Sequence, residues 1–435
     1  MKKRIDFLVE RGIYIWLAFY FFFLLSLIIY LPSLIWDEAV YLANAKSFFI
    51  GSNYTESFRS PLLPLIVALA WIFTGEEIIV AKTITILFTT GCIYLTYKIA
   101  KNYFGEKSIY LAILFSLAPL MVYWGSKLYT DIASLFFILL SFHLMKNQKM
   151  FFSGLSLGLG FLARYSASLF GLSILGFLLL NKRYKELIVF GLGVLILLTP
   201  WMIYNQIEYK NPIHGAWVYT KKVSTWTEPY KEPALLQIIN FIYVLGPFLI
   251  FLPFGIKIFQ GKDDGILIFL YMIIFFVCFT FFFNLKLVRY YIMILPFLYF
   301  LIYEGFLVLK KKMEYNLPLV FFVIVSSIAL VILVFTQYQT DNLRWQTIEK
   351  SVMYVKENTN PNDLIMSNFW PYFGYFTDVE SLSTWDDIDY LVKSYYPRYV
   401  VYHDNFGLEV KVNETWTPKR IFSNRLGTIS IYETS

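Results

Sequence analysis

From Ile13 to Ile35 the chain runs 23 residues without a charge. As a helix this stretch rises about 35 Å, enough to cross a hydrocarbon core of about 30 Å. It is too long, and too poorly followed by small residues, to be a cleaved signal peptide. The run predicts a membrane-spanning helix, and the rest of the chain agrees. With 58% hydrophobic and only 15% charged residues, the composition excludes a soluble domain. The two cysteines, Cys92 and Cys278, both sit in apolar runs, so no disulfide framework is expected. The net charge of +7 calls for no nucleic-acid partner; in a membrane protein what matters is where the positives lie.

Basic clusters occur at Lys2-Lys3-Arg4, Lys98/Lys101/Lys107, Lys146/Lys149, Lys182-Arg183/Lys185, Lys257/Lys262 and Lys310-Lys311-Lys312. If all are cytoplasmic, each interval holds an even number of spans. Between the first two clusters, Ile13–Ile35 and Ile78–Tyr97 are long enough to cross. Pro61–Thr74, roughly 21 Å as a helix, is not, and is expected at the outer surface within a long external loop, Trp36–Glu77. Parity makes 150–180 a short glycine-rich hairpin with Arg164 near its outer tip. Further spans are expected at about 108–126, 131–145, 186–204, 236–258, 265–283, 288–309 and 316–336. The expectation is an α-helical polytopic protein of a multi-pass cell membrane, with about eleven transmembrane helices. Its N-terminus is cytoplasmic and residues 1–336 form the membrane domain. Residues 337–435 read as a small extracytoplasmic α/β domain: a helical pattern at Trp345–Lys356, then strand-like runs at Leu364–Ser367, Tyr399–Tyr402 and Ile429–Tyr432. Two glycosylation tripeptides, at Asn53 and Asn413, fall on the expected outer side.

This topology, built from the basic clusters alone, gathers Asp37, Glu38, Arg59, Asp131, Arg164, Lys286 and Arg289 at one membrane face. Each has an ordinary structural explanation. Asp37 and Glu38 can end a helix among headgroups, Asp131 can favour a helix N-terminus, and Arg164, Lys286 and Arg289 can anchor to lipid phosphates. Together they suit a site for an anionic, lipid-linked substrate. Cations hold a phosphate whose tail stays in the bilayer, and a carboxylate takes a proton from an attacking hydroxyl. The aromatic loop Asn205–Ala234, with Trp217, Tyr219, Trp226 and Tyr230, reads as an interfacial belt or as a lid.

The succession "WDEAVYLANA", "FRSPLLPLIVALAWIFTG", "YKIAKNYFG" (97–105), "YTDIASLFF" (129–137), "GLSLGLGFLARYSA" and "KLVRYYIMILP" (286–296) resembles, in order, the GT-C glycosyltransferases. The nearest group is the dolichyl-phosphate-mannose–protein mannosyltransferase-like family, which includes the aminoarabinose transferase of lipid A. The resemblance covers residues 13–310. It implies a GT-C-like fold and inverting transfer of a sugar from a polyprenyl-phosphate donor to a hydroxyl of a protein, lipid or glycan acceptor. It implies Asp37 as the catalytic base, Asp131 as a second acidic residue, and Arg59, Arg164, Lys286 and Arg289 as holders of the phosphate. Glu38, Tyr41 and Tyr290 complete the candidate substrate-binding set. Some relatives use a divalent ion, so Asp37 and Asp131 are also candidate ligands for Mg or Mn. His143, His214 and His403 are scattered and do not make a zinc site. Two rival classes remain: a lipid or sugar transporter, and a non-catalytic scaffold of glycan assembly.

Overall fold

The computed structural model describes residues 2–51, 54–225, 232–256, 263–313, 317–360, 362–377, 379–383, 388–404 and 417–434, with side chains left aside at 2–10, 263–264 and 388–391. Asn53, Asn413, Trp226, Tyr230, Lys257 and Lys262 lie outside the described residues.

Helix α1 (Lys2–Tyr30) stops one residue before Leu31-Pro32, because a residue preceding proline is pushed out of helical geometry. The chain restarts as α2 (Trp36–Ile50) and α3 (Leu62–Thr74), which end at Gly51 (φ 75°) and Gly75 (φ 78°). Both turns need the left-handed backbone that glycine adopts without penalty. The expected loop Trp36–Glu77 is thus largely two helices, one of them the short helix expected at 61–74. Asp37 and Glu38 open the first turn of α2, where a helix N-terminus favours carboxylates.

Helix α4 (Ile78–Phe104) is followed by α5 (Ser108–Ser116) and α6 (Pro119–Trp124). The span expected at 108–126 is therefore broken, since Pro119 has no N–H to give to helix α5 and instead starts α6. Helix α7 (Thr130–Lys146) leads to α8 (Met150–Ala163) and α9 (Ser168–Leu180), the expected hairpin with Arg164 in its turn. Helices α10 (Tyr184–Tyr209) and α11 (His214–Thr225) follow, so the first half of the aromatic loop is mostly helical. Gly246-Pro247 interrupts the span expected at 236–258, leaving α12 (Ala234–Leu245), a 3-10 stretch and α13 (Leu252–Gly255). Helix α14 (Asp263–Phe281) and a 3-10 turn over Val288–Met293 precede α15 (Leu295–Lys312), whose first half is wholly buried at the centre of the bundle.

Helices approach closely where glycines face each other. A Cβ on Gly154 would overlap the carbonyl oxygen of Phe190, and one on Gly193 that of Phe151, so α8 and α10 touch backbone to backbone. Among the described residues, five helical stretches are by themselves long and apolar enough to cross a bilayer: Arg11–Tyr30, Ile78–Ser116, Tyr184–Tyr209, Ala234–Gly255 and Leu317–Asn358.

The last of these is α16 (Leu317–Asn358), 42 residues without a break. It joins the span expected at 316–336 to the helical pattern at 345–356, and passes straight through the expected boundary at 336/337. Beyond it come β1 (Leu364–Ser367), α17 (Trp370–Phe376), β2 (Glu380–Ser383), α18 (Ile388–Tyr395), β3 (Tyr399–His403), β4 (Arg420–Asn424) and β5 (Gly427–Glu433). The sheet order is β2-β1-β3-β5-β4, with β1 parallel to β2 and β3, and β5 antiparallel to β3 and β4. This α/β unit shares one apolar core with α2 and α3: Leu42, Val67 and Trp71 belong to the same buried cluster as Trp345, Phe373 and Ile431.

Candidate active site

The carboxylate of Asp37 faces a cavity of about 630 Å³. Four cationic side chains (Arg59, Arg164, Lys222 and Arg289) and two carboxylates (Asp37 and Glu56) line it, so the space is electropositive. Arg289 reaches one oxygen of Asp37 at 2.7 Å and Arg59 the other at 3.1 Å. Burial works to raise the Asp37 pKa, but Arg59 and Arg289 together outweigh it and bring it down to about 2. Arg59 is pinned in turn by Glu56 at 2.7 Å, three residues back, and Tyr54 donates to Glu56 at 2.7 Å. Asp37 and Glu56 hold the Arg59 guanidinium well above its ordinary pKa, against the opposing effect of burial.

Asp131 is fully buried behind the cavity wall, where Arg164 meets it at 3.0 Å. Thr130, beside it, hydrogen-bonds Tyr41 at 3.2 Å. The guanidinium of Arg164 lies 5.1 Å from the Tyr290 ring, and that of Arg289 4.7 Å from the Tyr129 ring. Flat aromatic faces of this kind fix the planes of the guanidiniums and leave their edges for an oxyanion. Tyr41, Arg59, Arg164, Arg289 and Tyr290 thus share the cavity with Asp37.

Two predicted residues lie elsewhere. Glu38 is fully buried and spends its carboxylate on structure, accepting from Ile35 N–H (2.9 Å) and Leu128 N–H (2.8 Å) and pairing with Lys82 at 3.0 Å. Lys286 turns its ammonium to the carbonyls of Thr280 and Phe283 at the C-terminal end of α14, as a capping lysine does. Its neighbour Leu285, not Lys286, lines the cavity.

Several cavity residues escaped sequence reasoning. Glu56 stands three residues before Arg59, a spacing that signals a pair. Lys222 sits with its ammonium 3.8 Å from the Phe58 ring centre. Tyr219, noted as part of an aromatic loop, lines the cavity from α11. Asn368, Trp370 and Ser383 arrive from the α/β unit, with Trp370 edge-on to Trp36 at 4.7 Å. No sequence pattern announces residues more than 330 positions away from Asp37.

Asp37 is paired with Arg59 and Arg289, and one oxygen of Asp131 with Arg164 while its other oxygen is buried without a hydrogen bond; no cluster of three His, Cys, Asp or Glu occurs among the described residues. Three guanidiniums around these carboxylates repel a second positive charge.

A second cavity, of about 450 Å³, shares Glu56 and Arg59 with the first. Its other walls are mostly apolar, including Leu62, Leu65, Leu162, Leu197 and Trp201.

Residues 58–204 match the family model of dolichyl-phosphate-mannose–protein mannosyltransferases. The fold is similar to that of ArnT from Cupriavidus metallidurans bound to undecaprenyl phosphate (TM-score 0.67, 11% identity, 98% of each chain covered). The apo form of that protein gives the same TM-score and identity, over 96% of this chain and 98% of the other. The oligosaccharyltransferase of Archaeoglobus fulgidus tethered to an acceptor peptide is also similar (TM-score 0.54, 11% identity, 89% of this chain and 69% of the other). No curated protein matches in sequence. The family model is thus matched over residues 58–204, and the fold of ArnT is shared over nearly the whole chain.

Proposed function

We propose that the chain transfers a sugar from a polyprenyl-phosphate donor to an acceptor hydroxyl at the extracytoplasmic face of the membrane, with inversion, and with Asp37 as general base. The observation that carries this reading is the Arg59–Asp37–Arg289 bridge on the wall of an electropositive cavity. The similar ArnT binds undecaprenyl phosphate, and the similar oligosaccharyltransferase holds an acceptor peptide, which supports a lipid-borne donor and a separate acceptor.

The donor's lipid tail enters by the apolar second cavity, which ends at Arg59, and its phosphate comes to rest among Arg59, Arg164 and Arg289. The acceptor oxygen attacks the anomeric carbon and its proton passes to Asp37. The carbon–oxygen bond to phosphate breaks, and the electron pair leaves with polyprenyl phosphate, stabilised by the three guanidiniums. Asp131 is a positioning residue that aims Arg164. A carboxylate held by two arginines is a weak base in the resting state. As the arriving phosphate draws Arg59 and Arg289 toward itself, Asp37 loses its counter-ions and gains basicity.

The test is sugar transfer in proteoliposomes containing labelled polyprenyl-phosphate sugar. Asp37→Asn is expected to lower kcat by about a hundredfold or more, the contribution of a positioned base, with the donor KM within a few-fold of the parent. Unchanged kcat removes Asp37 from the chemistry.

A further inference from the structure

A groove of about 1290 Å³, about twice the 630 Å³ of the catalytic cavity, opens at the opposite end of the bundle. Arg289 lies just before the N-terminus of α15, whereas Lys310 and Lys311 of the groove end that 18-residue helix. The helix rises about 27 Å between them, close to one hydrocarbon thickness. The groove therefore belongs to the other membrane face.

Its walls are apolar. Helix α16 presents Val320, Val323, Ser327 and Val331, one face at helical spacing, to α5 and α15 across the gap. Of the hydroxyls in its lining, Ser327 donates to the Val323 carbonyl at 2.9 Å and Tyr303 to the Lys107 carbonyl at 3.0 Å, while the exposed Tyr110 stands about one helical turn from Lys107 at the mouth. Nothing within asks for water or a polar ligand. From Val320 to Ile332 the groove follows α16 for about 18 Å, close to half of a hydrocarbon core of about 30 Å. At its mouth stand Lys107, Lys310 and Lys311, all exposed and with no ion pair among the described residues.

We propose that this groove binds an anionic phospholipid of the leaflet opposite the Asp37 cavity. Its acyl chains fill the gap between α16 and the α5–α15 wall, and its phosphate is held by Lys107, Lys310 and Lys311. Three observations agree on this occupant: a depth of one leaflet, an apolar interior whose Ser327 and Tyr303 are satisfied, and a cluster of positive charge only where a headgroup lies. The inference is independent of the transferase reading, because no residue of the groove touches the catalytic cavity.

The test equilibrates the full-length protein with equimolar phosphatidylglycerol, phosphatidylcholine and undecaprenyl phosphate in mixed micelles, then reads retained lipid by native mass spectrometry. About tenfold or greater retention of phosphatidylglycerol over phosphatidylcholine is expected, since each lysine near an anionic headgroup favours it several-fold. Combined Lys107→Gln, Lys310→Gln and Lys311→Gln should abolish the preference. Ser327→Phe, which fills the groove but keeps the lysines, should lower phosphatidylglycerol retention at least fivefold. Ile328→Phe, on the same wall, provides the reading if Ser327→Phe does not insert. Equal retention of the two phospholipids, a preference that survives the lysine substitutions, or undecaprenyl phosphate as the lipid lost on those substitutions would each overturn the proposal.

Discussion

Asp37 and Glu38 are neighbours in sequence and opposites in use. Asp37 faces the cavity between Arg59 and Arg289, and Glu38 closes a buried network with Lys82 and two backbone amides. The Asp37 pKa is lowered from 3.8 to about 2 in the folded chain. Its contribution to stability is therefore fully present above 3.8 and is lost as pH falls through about 2. In the free enzyme kcat/KM should show no acidic limb from this group down to about pH 3. Arg59→Gln removes one counter-ion, so burial then counts for more and the limb should move up by a unit or more; an unmoved limb would separate Arg59 from Asp37. Glu38→Gln leaves the Lys82 ammonium buried without its partner, which should cost about 3–5 kcal/mol. Thermal unfolding in detergent would register this as a large drop in Tm for Glu38→Gln, while Asp37→Asn, which faces the cavity, should lower Tm less.

Among the elements, the sequence spoke clearly where charge and glycine or proline set the boundary. The hairpin at 150–180, the short helix at 61–74 and three of the five strands all follow from such signals. It was silent where packing decides. Helix α2 forms inside an expected loop because its buried face meets α3 and α17; the replacement of one expected span by α5 and α6, by contrast, follows from Pro119, a breaker that the span count passed over. Strand β2 (Glu380–Ser383) has no apolar alternation and is defined by its pairing with β1. Of the site, Asp37, Arg59, Arg164 and Arg289 were legible as charges beside hydrocarbon, but Lys286 was indistinguishable from them until its carbonyl partners were seen. At this scale the glycine contact between α8 and α10 predicts that Gly154→Val forces the helices apart and lowers Tm sharply. Gly176→Val, where a Cβ meets nothing within 4 Å, should be tolerated and serves as the matched comparison.

For the whole molecule, the α/β unit and the membrane bundle behave as one body. Lys127, almost fully buried beside the bundle, pairs at 3.0 Å with Asp341 of α16, and Tyr123 donates to the same carboxylate oxygen at 2.6 Å. A chain truncated after residue 336 loses Asp341 and leaves Lys127 buried with no counter-ion. It should insert poorly or unfold at much lower temperature, and Asp341→Asn in the full chain should reproduce most of that loss in a detergent melt. A truncated chain as stable as the parent would mean that the α/β unit is a detachable appendage. Helix α16 itself is about 63 Å long, roughly twice the thickness of a hydrocarbon core. Such a rod transmits tilt. In a thicker or thinner bilayer its apolar half must lean to match the lipid, and its far half, clamped through Asp341 and carrying the Asn368–Trp370 wall, must lean with it. Bilayer thickness is then expected to move the Asn368–Trp370 wall of the Asp37 cavity, so that acyl-chain length bears on the site itself.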